Sequence, residues 1–248
     1  MPRQQRRKSE SGIYHVMLRG INQQQIFQDE EDNLKFLQIV KECKAISEFK
    51  LFAYCLMENH VHLLIKEGKE PIELIFKRIG NRFVYWYNTK YKRVGHLFQD
   101  RYRSEPVETD EYFLTVLRYI HQNPVKAGIV KSCGKYRFSS YNEYIKESKI
   151  IDDELAKEML TKEDFVKYHE KEETASCLEI IEIKPRLTDE EAKRIIKEIS
   201  GCENIEQFQR LTGDKQNEFI AKFRKKNISI RQISRLTGAT IGIIRKFS

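Results

Sequence analysis

Residues 50–57 and 60–65 are two runs of apolar, aromatic and β-branched side chains parted only by Glu58 and Asn59. Two such runs joined by a two-residue turn predict an antiparallel β-hairpin. The flanking segments extend the pattern. Residues 13–19 (IYHVMLR) read as a strand, and a further strand is expected within 97–107. Asp29 to Asp32 place acids in the first turn of a helix that runs through Phe36, Leu37 and Val40 to about residue 47. Pro71 begins a second helix, through Leu74, Ile75, Ile79, Phe83 and Trp86 to about residue 91. Asp110 caps a third over residues 111–121, which is expected to end before Pro124. The order β-α-β-β-α-β-α predicts an α+β fold: a ferredoxin-like antiparallel sheet with helices against it.

Beyond residue 147 the character changes. Residues 148–187 read as a charged connector, helical over 151–173, and 188–248 as a small all-helical domain. Within it, residues 229–247 give a short helix, a turn at Gly238 and a second helix, the helix-turn-helix pattern. Ile233 and Leu236 are expected to pack on Ile241 and Ile244, leaving Arg231, Thr240, Arg245 and Lys246 to face DNA. An ordinary helical hairpin would carry the same pattern.

Charge follows these boundaries. Residues 1–150 carry a net +8, 151–175 a net −5 and 176–248 a net +5. Two basic blocks favour polyanionic partners, nucleic acid foremost. At 40% hydrophobic content the 248-residue chain can build a core, which excludes wholesale disorder. No apolar run approaches the roughly 20 residues of a membrane-spanning helix, and the basic N-terminus lacks the apolar stretch of a secretory signal. The five cysteines include no CxxC pair, so no disulfide framework is expected and a cytoplasmic location is.

Two constellations could carry chemistry. His60 and His62 alternate on a strand, so both imidazoles leave the same face and could ligate one metal. Taken alone, such a pair on a strand is more often structural or incidental. Cys55, across the predicted hairpin, opens a zinc-site alternative. Tyr119 and Asn123, four residues apart, share one helix face: a phenol nucleophile beside an amide oxygen suited to a hard cation or, as the pair alone favours, a half-buried helix aromatic and a C-cap before Pro124. Tyr112, seven residues before Tyr119, is a rival nucleophile. His15 is expected near the site, His121 off it. Trp86 is expected in the core, with Tyr85 and Tyr87 as alternatives for base stacking. A metal and a nucleophile on one basic surface point to phosphoryl transfer on nucleic acid. A non-catalytic nucleic-acid-binding module remains the alternative reading.

The motifs YHVMLRG (14–20), NHVHLL (59–64), GHLFQDRYRS (95–104), YIHQNPVKAG (119–128) and YRFSSY (136–141) occur in an order that resembles the REP-associated tyrosine transposases of the HUH (His-hydrophobic-His) single-tyrosine superfamily. Glu58 stands where that family favours Pro, and Phe138 where it favours Trp. The resemblance implies the HUH endonuclease fold over residues 1–147. It implies Mg²⁺ or Mn²⁺ on His60, His62 and Asn123, with Tyr119 as the nucleophile. It further implies a 5′-phosphotyrosine intermediate on single-stranded or hairpin DNA. Arg19 is a candidate DNA contact, and Arg101 and Arg103, alternating on the expected fourth strand, share a face that could hold phosphate or equally be two solvated charges. Duplex DNA is a further candidate partner for the C-terminal domain. Monomer and homodimer are both open, and no membrane is involved.

Overall fold

Asp29 caps the first helix, α1 (Glu30–Ser47), its carboxylate accepting from the Asp32 backbone while Asp32 reaches back to Asp29. This reciprocal box satisfies two orphan amides where the helix dipole favours acids. In the computed structural model, which describes residues 7–99, 101–171, 177, 187–226 and 228–247, α1 follows strand β1 (Ile13–Arg19). It precedes β2 (Lys50–Met57) and β3 (His60–Lys66), the expected hairpin. Helix α2 (Ile72–Lys90) starts after Pro71, which serves as its N-cap, and β4 is short (Arg103–Pro106). The four strands form one antiparallel sheet in the order β2-β3-β1-β4, the arrangement expected for a ferredoxin-like fold.

Alternation along β1 separates the two faces. Leu18 lines a groove with Phe76 and Val84 of α2, so α2 covers that face. Phe27, Phe36 and Phe83 meet edge-on or tilted beneath α1 and α2, with ring centroids 5.1 to 5.7 Å apart. The opposite face, which carries His15 and His62, packs against α3 (Asp110–Lys126). Gly20, just past β1, is required by close approach: a Cβ there would lie 2.2 Å from the Gln24 carbonyl oxygen.

Three departures concern α3 and its surroundings. Its N-cap is Thr109, whose hydroxyl accepts from the Tyr112 amide, so Asp110 is the first helical residue. The helix also runs on through Pro124 to Lys126. Proline removes one intrahelical donor, and one more turn forms past it, closed by Ala127 N–H donating to the Asn123 carbonyl. Residues 154–170, read as a helical connector, are helical as expected, forming α5 (Glu154–Met159) and α6 (Lys162–Glu170) after a short α4 (Tyr141–Ile145), but they pack on the preceding domain. Phe165 and His169 on α6 are buried against α3 and α4, which puts both helices in the first compact unit, residues 1–179. Charge composition could not reveal this, because only two side chains of α6 face inward. Residues 172–176 and 178–186 of the expected connector lie outside the described residues.

The second unit comprises residues 180–248. It contains α7 (Asp189–Ser200), α8 (Ile205–Gln209), α9 (Gly213–Lys225), α10 (Ile230–Thr237) and α11 (Ile241–Ile244), with a 3-10 turn over Arg245–Phe247. Ile196, Phe208, Ile220, Phe223, Ile233 and Ile244 form its core. Gly238 takes the left-handed conformation between α10 and α11, as the turn requires. The expected packing holds for Ile233 and Ile244, with Leu236 half-buried, but Ile241 is 43% exposed. With α11 a single turn, only its last residue reaches the core. Among the described residues no helix is long and apolar enough to cross a membrane.

Candidate active site

The register of the sheet assembles the site. On β3, His60 and His62 lie on one face, with Arg19 opposite His60 and Met17 opposite His62. On β4, Glu105 lies opposite His15 of β1. Helix α3 brings the Tyr119 ring onto this cluster. Its centroid is 5.7 Å from those of both His15 and His62, in edge-on geometry. His60 and His62 are perpendicular, with centroids 5.0 Å apart.

Every imidazole nitrogen of the cluster that faces protein has a partner. Glu105 Oε1 lies 2.9 Å from His15 Nδ1, and His15 Nε2 lies 2.9 Å from His62 Nδ1. Asn59 Oδ1 lies 2.7 Å from His60 Nδ1, and the Asn59 amide in turn donates to the Gln23 carbonyl. The Nε2 atoms of His60 and His62 are buried and have no hydrogen-bond partner. Burial, followed by the nearby Arg19 charge, holds the His60 pKa down to about 4. Burial, then His15 and His60, pushes His62 well below the ordinary imidazole range. Both rings are therefore held neutral at neutral pH, so each keeps one nitrogen lone pair. A buried nitrogen without a partner is costly, and a cation bound there would remove that cost.

Asn123 is half-buried one turn beyond Tyr119, its Nδ2 donating 2.9 Å to the Tyr119 carbonyl. With Nδ2 committed to backbone, Oδ1 is the end of the amide left for a cation. Two imidazoles and one amide oxygen are a donor set that accepts a hard divalent ion. Among the described residues no group of three His, Cys, Asp or Glu side chains could hold a metal. Cys55 is opposite His62 on β2, and burial pushes its thiol pKa far up, which disfavours the thiolate that a zinc ligand would need.

The remaining candidates sort clearly. Tyr112 hydrogen-bonds Glu105 and Cys177, and burial followed by the Glu105 charge raises its pKa, which disfavours it as a nucleophile. His121 is buried away from the site between Ser140 and His169. Trp86 packs half-buried on Phe83, Tyr87 is fully buried, and Tyr85 is 78% exposed. Arg101 and Arg103, expected to share a strand face, are separated, because β4 begins only at Arg103. Arg103 pairs with Met17 on the histidine face. Arg101 instead lines the groove on the α2 side, about 860 Å³, with Leu18, Phe98 and Tyr102. Arg19 is half-buried; in the second unit Arg231, Thr240, Arg245 and Lys246 are all exposed. Glu58 turns its carboxylate to the Gln25 amide, and Phe138 packs half-buried while its carbonyl accepts from Leu56.

Sequence reasoning missed two residues. Glu105 becomes visible only once β4 is registered against β1. Lys126 follows Tyr119 by seven residues, two helical turns, and its ammonium lies 4.9 Å from the Tyr119 ring centre; that spacing was the available signal.

No curated protein matches the chain. The fold is similar to a solved REP-associated tyrosine transposase bound to a REP hairpin, at TM-score 0.52 and 15% identity, covering 76% of this chain and 99% of that one. A proposed transposase from Deinococcus radiodurans R1 also aligns, at TM-score 0.35 and 17% identity, covering 49% of this chain and 97% of that one. The described architecture is thus the α+β HUH-transposase fold with a helical C-terminal region. Residues 8–123, which hold the two histidines, Tyr119 and Asn123, match the model of the IS200-like transposases, the family to which this part of the chain is similar.

Proposed function

We propose that the chain cleaves and transfers single-stranded DNA at hairpin-type ends, dependent on a divalent metal, through a 5′-phosphotyrosine on Tyr119. The observation that carries this reading is the pair of neutral, buried imidazoles with partnerless Nε2 atoms beside the Tyr119 ring. His60, His62 and Asn123 would hold Mg²⁺ or Mn²⁺, which when bound supplies Lewis-acid stabilisation of charge on the scissile phosphate. Tyr119 Oη attacks phosphorus in line. The bond to the 3′ oxygen breaks, that oxygen leaves as a free hydroxyl after taking a proton, and the 5′ phosphate stays on the tyrosine. Attack by a second 3′ hydroxyl reverses the step on a new strand without ATP.

His60 and Tyr119 are only 7% and 5% exposed, which suits one extruded backbone rather than a duplex. Arg19 and Arg103 lie on the same sheet face and are assigned as phosphate contacts, with Arg101 contacting DNA from the α2 side. The hairpin in the similar solved structure supports a hairpin substrate here. The exposed Arg231, Thr240, Arg245 and Lys246 are proposed as duplex contacts of the C-terminal unit.

The test is a covalent-adduct assay. Protein is incubated with end-labelled single-stranded hairpin DNA, with Mn²⁺ or EDTA, and resolved on a denaturing gel. A metal-dependent shifted band is expected in the wild type and lost in Tyr119→Phe and in the double variant His60→Ala, His62→Ala. Retention of DNA in native gels with no adduct on any hairpin would overturn the nuclease in favour of a binding module. An adduct that survives Tyr119→Phe would overturn the assignment of the nucleophile.

A further inference from the structure

Both candidate ligand imidazoles present Nε2 to the site, and in each case something behind the ring fixes that choice. For His60 it is the Asn59 amide oxygen, which can only accept and therefore calls for a proton on Nδ1. For His62 the group behind is another histidine, which can donate or accept, so the contact alone does not fix the tautomer. Glu105 does. Its carboxylate accepts from His15 Nδ1, so His15 in its neutral form carries its proton there and turns a lone pair at Nε2 toward His62. That lone pair requires a proton on His62 Nδ1, which leaves Nε2 bare.

We propose that Glu105 and His15 are positioning residues that set His62 in its Nδ1-protonated tautomer and so make Nε2 a ligand. The relay runs Glu105 ← His15 ← His62, each arrow a donated hydrogen bond. It crosses three adjacent strands, β4, β1 and β3, so the strand register itself holds the proton pattern. His15 and His62 are fully buried, so bulk solvent does not compete for the ring nitrogens along the path. Metal-ligating histidines commonly need such an outer acceptor, and its loss costs about 10- to 100-fold in metal affinity. Here the acceptor is itself an imidazole, and the decision is passed one step outward to a carboxylate near the surface.

The inference rests on the metal site proposed above, and its test separates the two. Tautomers are read in the metal-free full chain by long-range ¹H–¹⁵N correlation of its six histidines, His62 being assigned by its absence in His62→Gln. Mn²⁺ affinity is read by calorimetry. In the wild type, His62 is expected with its proton on Nδ1. Glu105→Leu removes the carboxylate; His15 is then free to donate from Nε2, His62 shifts to the Nε2-protonated form, and Mn²⁺ binding weakens about 10- to 100-fold. Glu105→Gln keeps an acceptor oxygen and should stay within about 3-fold of the wild type by the same reasoning. Glu105 is partly exposed, so these variants are expected to fold. His15→Phe should reproduce the loss, and His15→Gln, which restores an acceptor, should recover part of it. A proton on His62 Nε2 in the wild-type protein would overturn the relay, as would Glu105→Leu binding Mn²⁺ like the wild type. If the wild type binds no Mn²⁺ at all, the metal site above fails, while the metal-free spectra still decide the relay.

Discussion

The Lys126 ammonium sits 4.9 Å from the centre of the Tyr119 ring. The His15 and His62 imidazoles also lie against that ring, and this lysine adds a fixed positive charge to its surroundings. A cation over a phenol is attracted to its face, and more strongly once the phenol becomes a phenolate, the form that attacks phosphorus. At an exposed site such a contact is worth about 0.5–1 kcal/mol, or about 2- to 5-fold in rate. Lys126→Met should therefore slow adduct formation by about that factor, and Lys126→Arg should leave it nearly intact. Single-turnover rates on a labelled hairpin decide; equal rates for all three would remove the lysine from the mechanism.

Asn123 has two jobs that can be separated. Its Nδ2 donates to the Tyr119 carbonyl, and its Oδ1 is the proposed metal ligand. Asn123→Ala removes both. The lost hydrogen bond should cost only about 1 kcal/mol of stability, since the backbone partner stays within the helix. Mn²⁺ affinity should fall by at least about 10-fold. Asn123→Asp keeps an oxygen and adds charge, so it should bind Mn²⁺ at least as tightly as the wild type. Titration calorimetry beside urea melts checks both arms. Unchanged Mn²⁺ affinity in Asn123→Ala would exclude this residue as a ligand.

The strands and first two helices were legible because their signals are local: alternation around His60 and His62, a two-residue turn, and acids opening α1. The same holds for Tyr119 and Asn123, whose spacing sets one helix face whatever surrounds it. What was not legible depends on register or on partners distant in sequence. Glu105 joins the site only through its cross-strand pairing with His15, 90 residues away. Arg101 left the predicted face because β4 starts two residues later than an alternating pattern suggests. Pro124 read as a stop, whereas Ala127 and Gly128 close a further turn on the Asn123 and Val125 carbonyls. Helix α6 looked like solvated connector because its contribution is concentrated in Phe165 and His169.

His169 gives the acid response of that docking. It donates from Nδ1 to the Phe165 carbonyl and accepts at Nε2 from His121, which in turn accepts from Ser140. This arrangement requires a neutral ring, and burial holds the His169 pKa down to about 4. Between that value and the ordinary 6.5, the unfolded chain binds a proton that the folded chain refuses. The contribution is therefore complete above pH 6.5 and lost progressively as pH falls toward 4. One such proton is worth about 1.4 kcal/mol per pH unit inside the window. His169→Gln should be less stable at pH 7 and show a shallower decline on acidification than the wild type. Urea melts at pH 7, 6 and 5 would show it, and parallel slopes would refute it.

Gly238 tests the turn on which the C-terminal reading depends. It caps α10 with φ +72°, a conformation that L side chains adopt only at a cost. Space is short as well: a Cβ there would meet Gln209 Nε2 at 2.2 Å and Ile205 Cγ2 at 3.0 Å, both on α8. The glutamine end can swing aside, but the isoleucine methyl is tied to its helix. Gly238→Ala should thus destabilise this unit by about 1–2 kcal/mol. It should also displace the α10–α11 turn that presents Thr240, Arg245 and Lys246. If that turn carries duplex binding, affinity for duplex DNA should fall while Tyr119 adduct formation on a single-stranded hairpin persists. Filter binding and the adduct gel on the same preparation distinguish the outcomes. Equal loss of both activities would show that the C-terminal unit serves cleavage itself rather than a separate duplex contact.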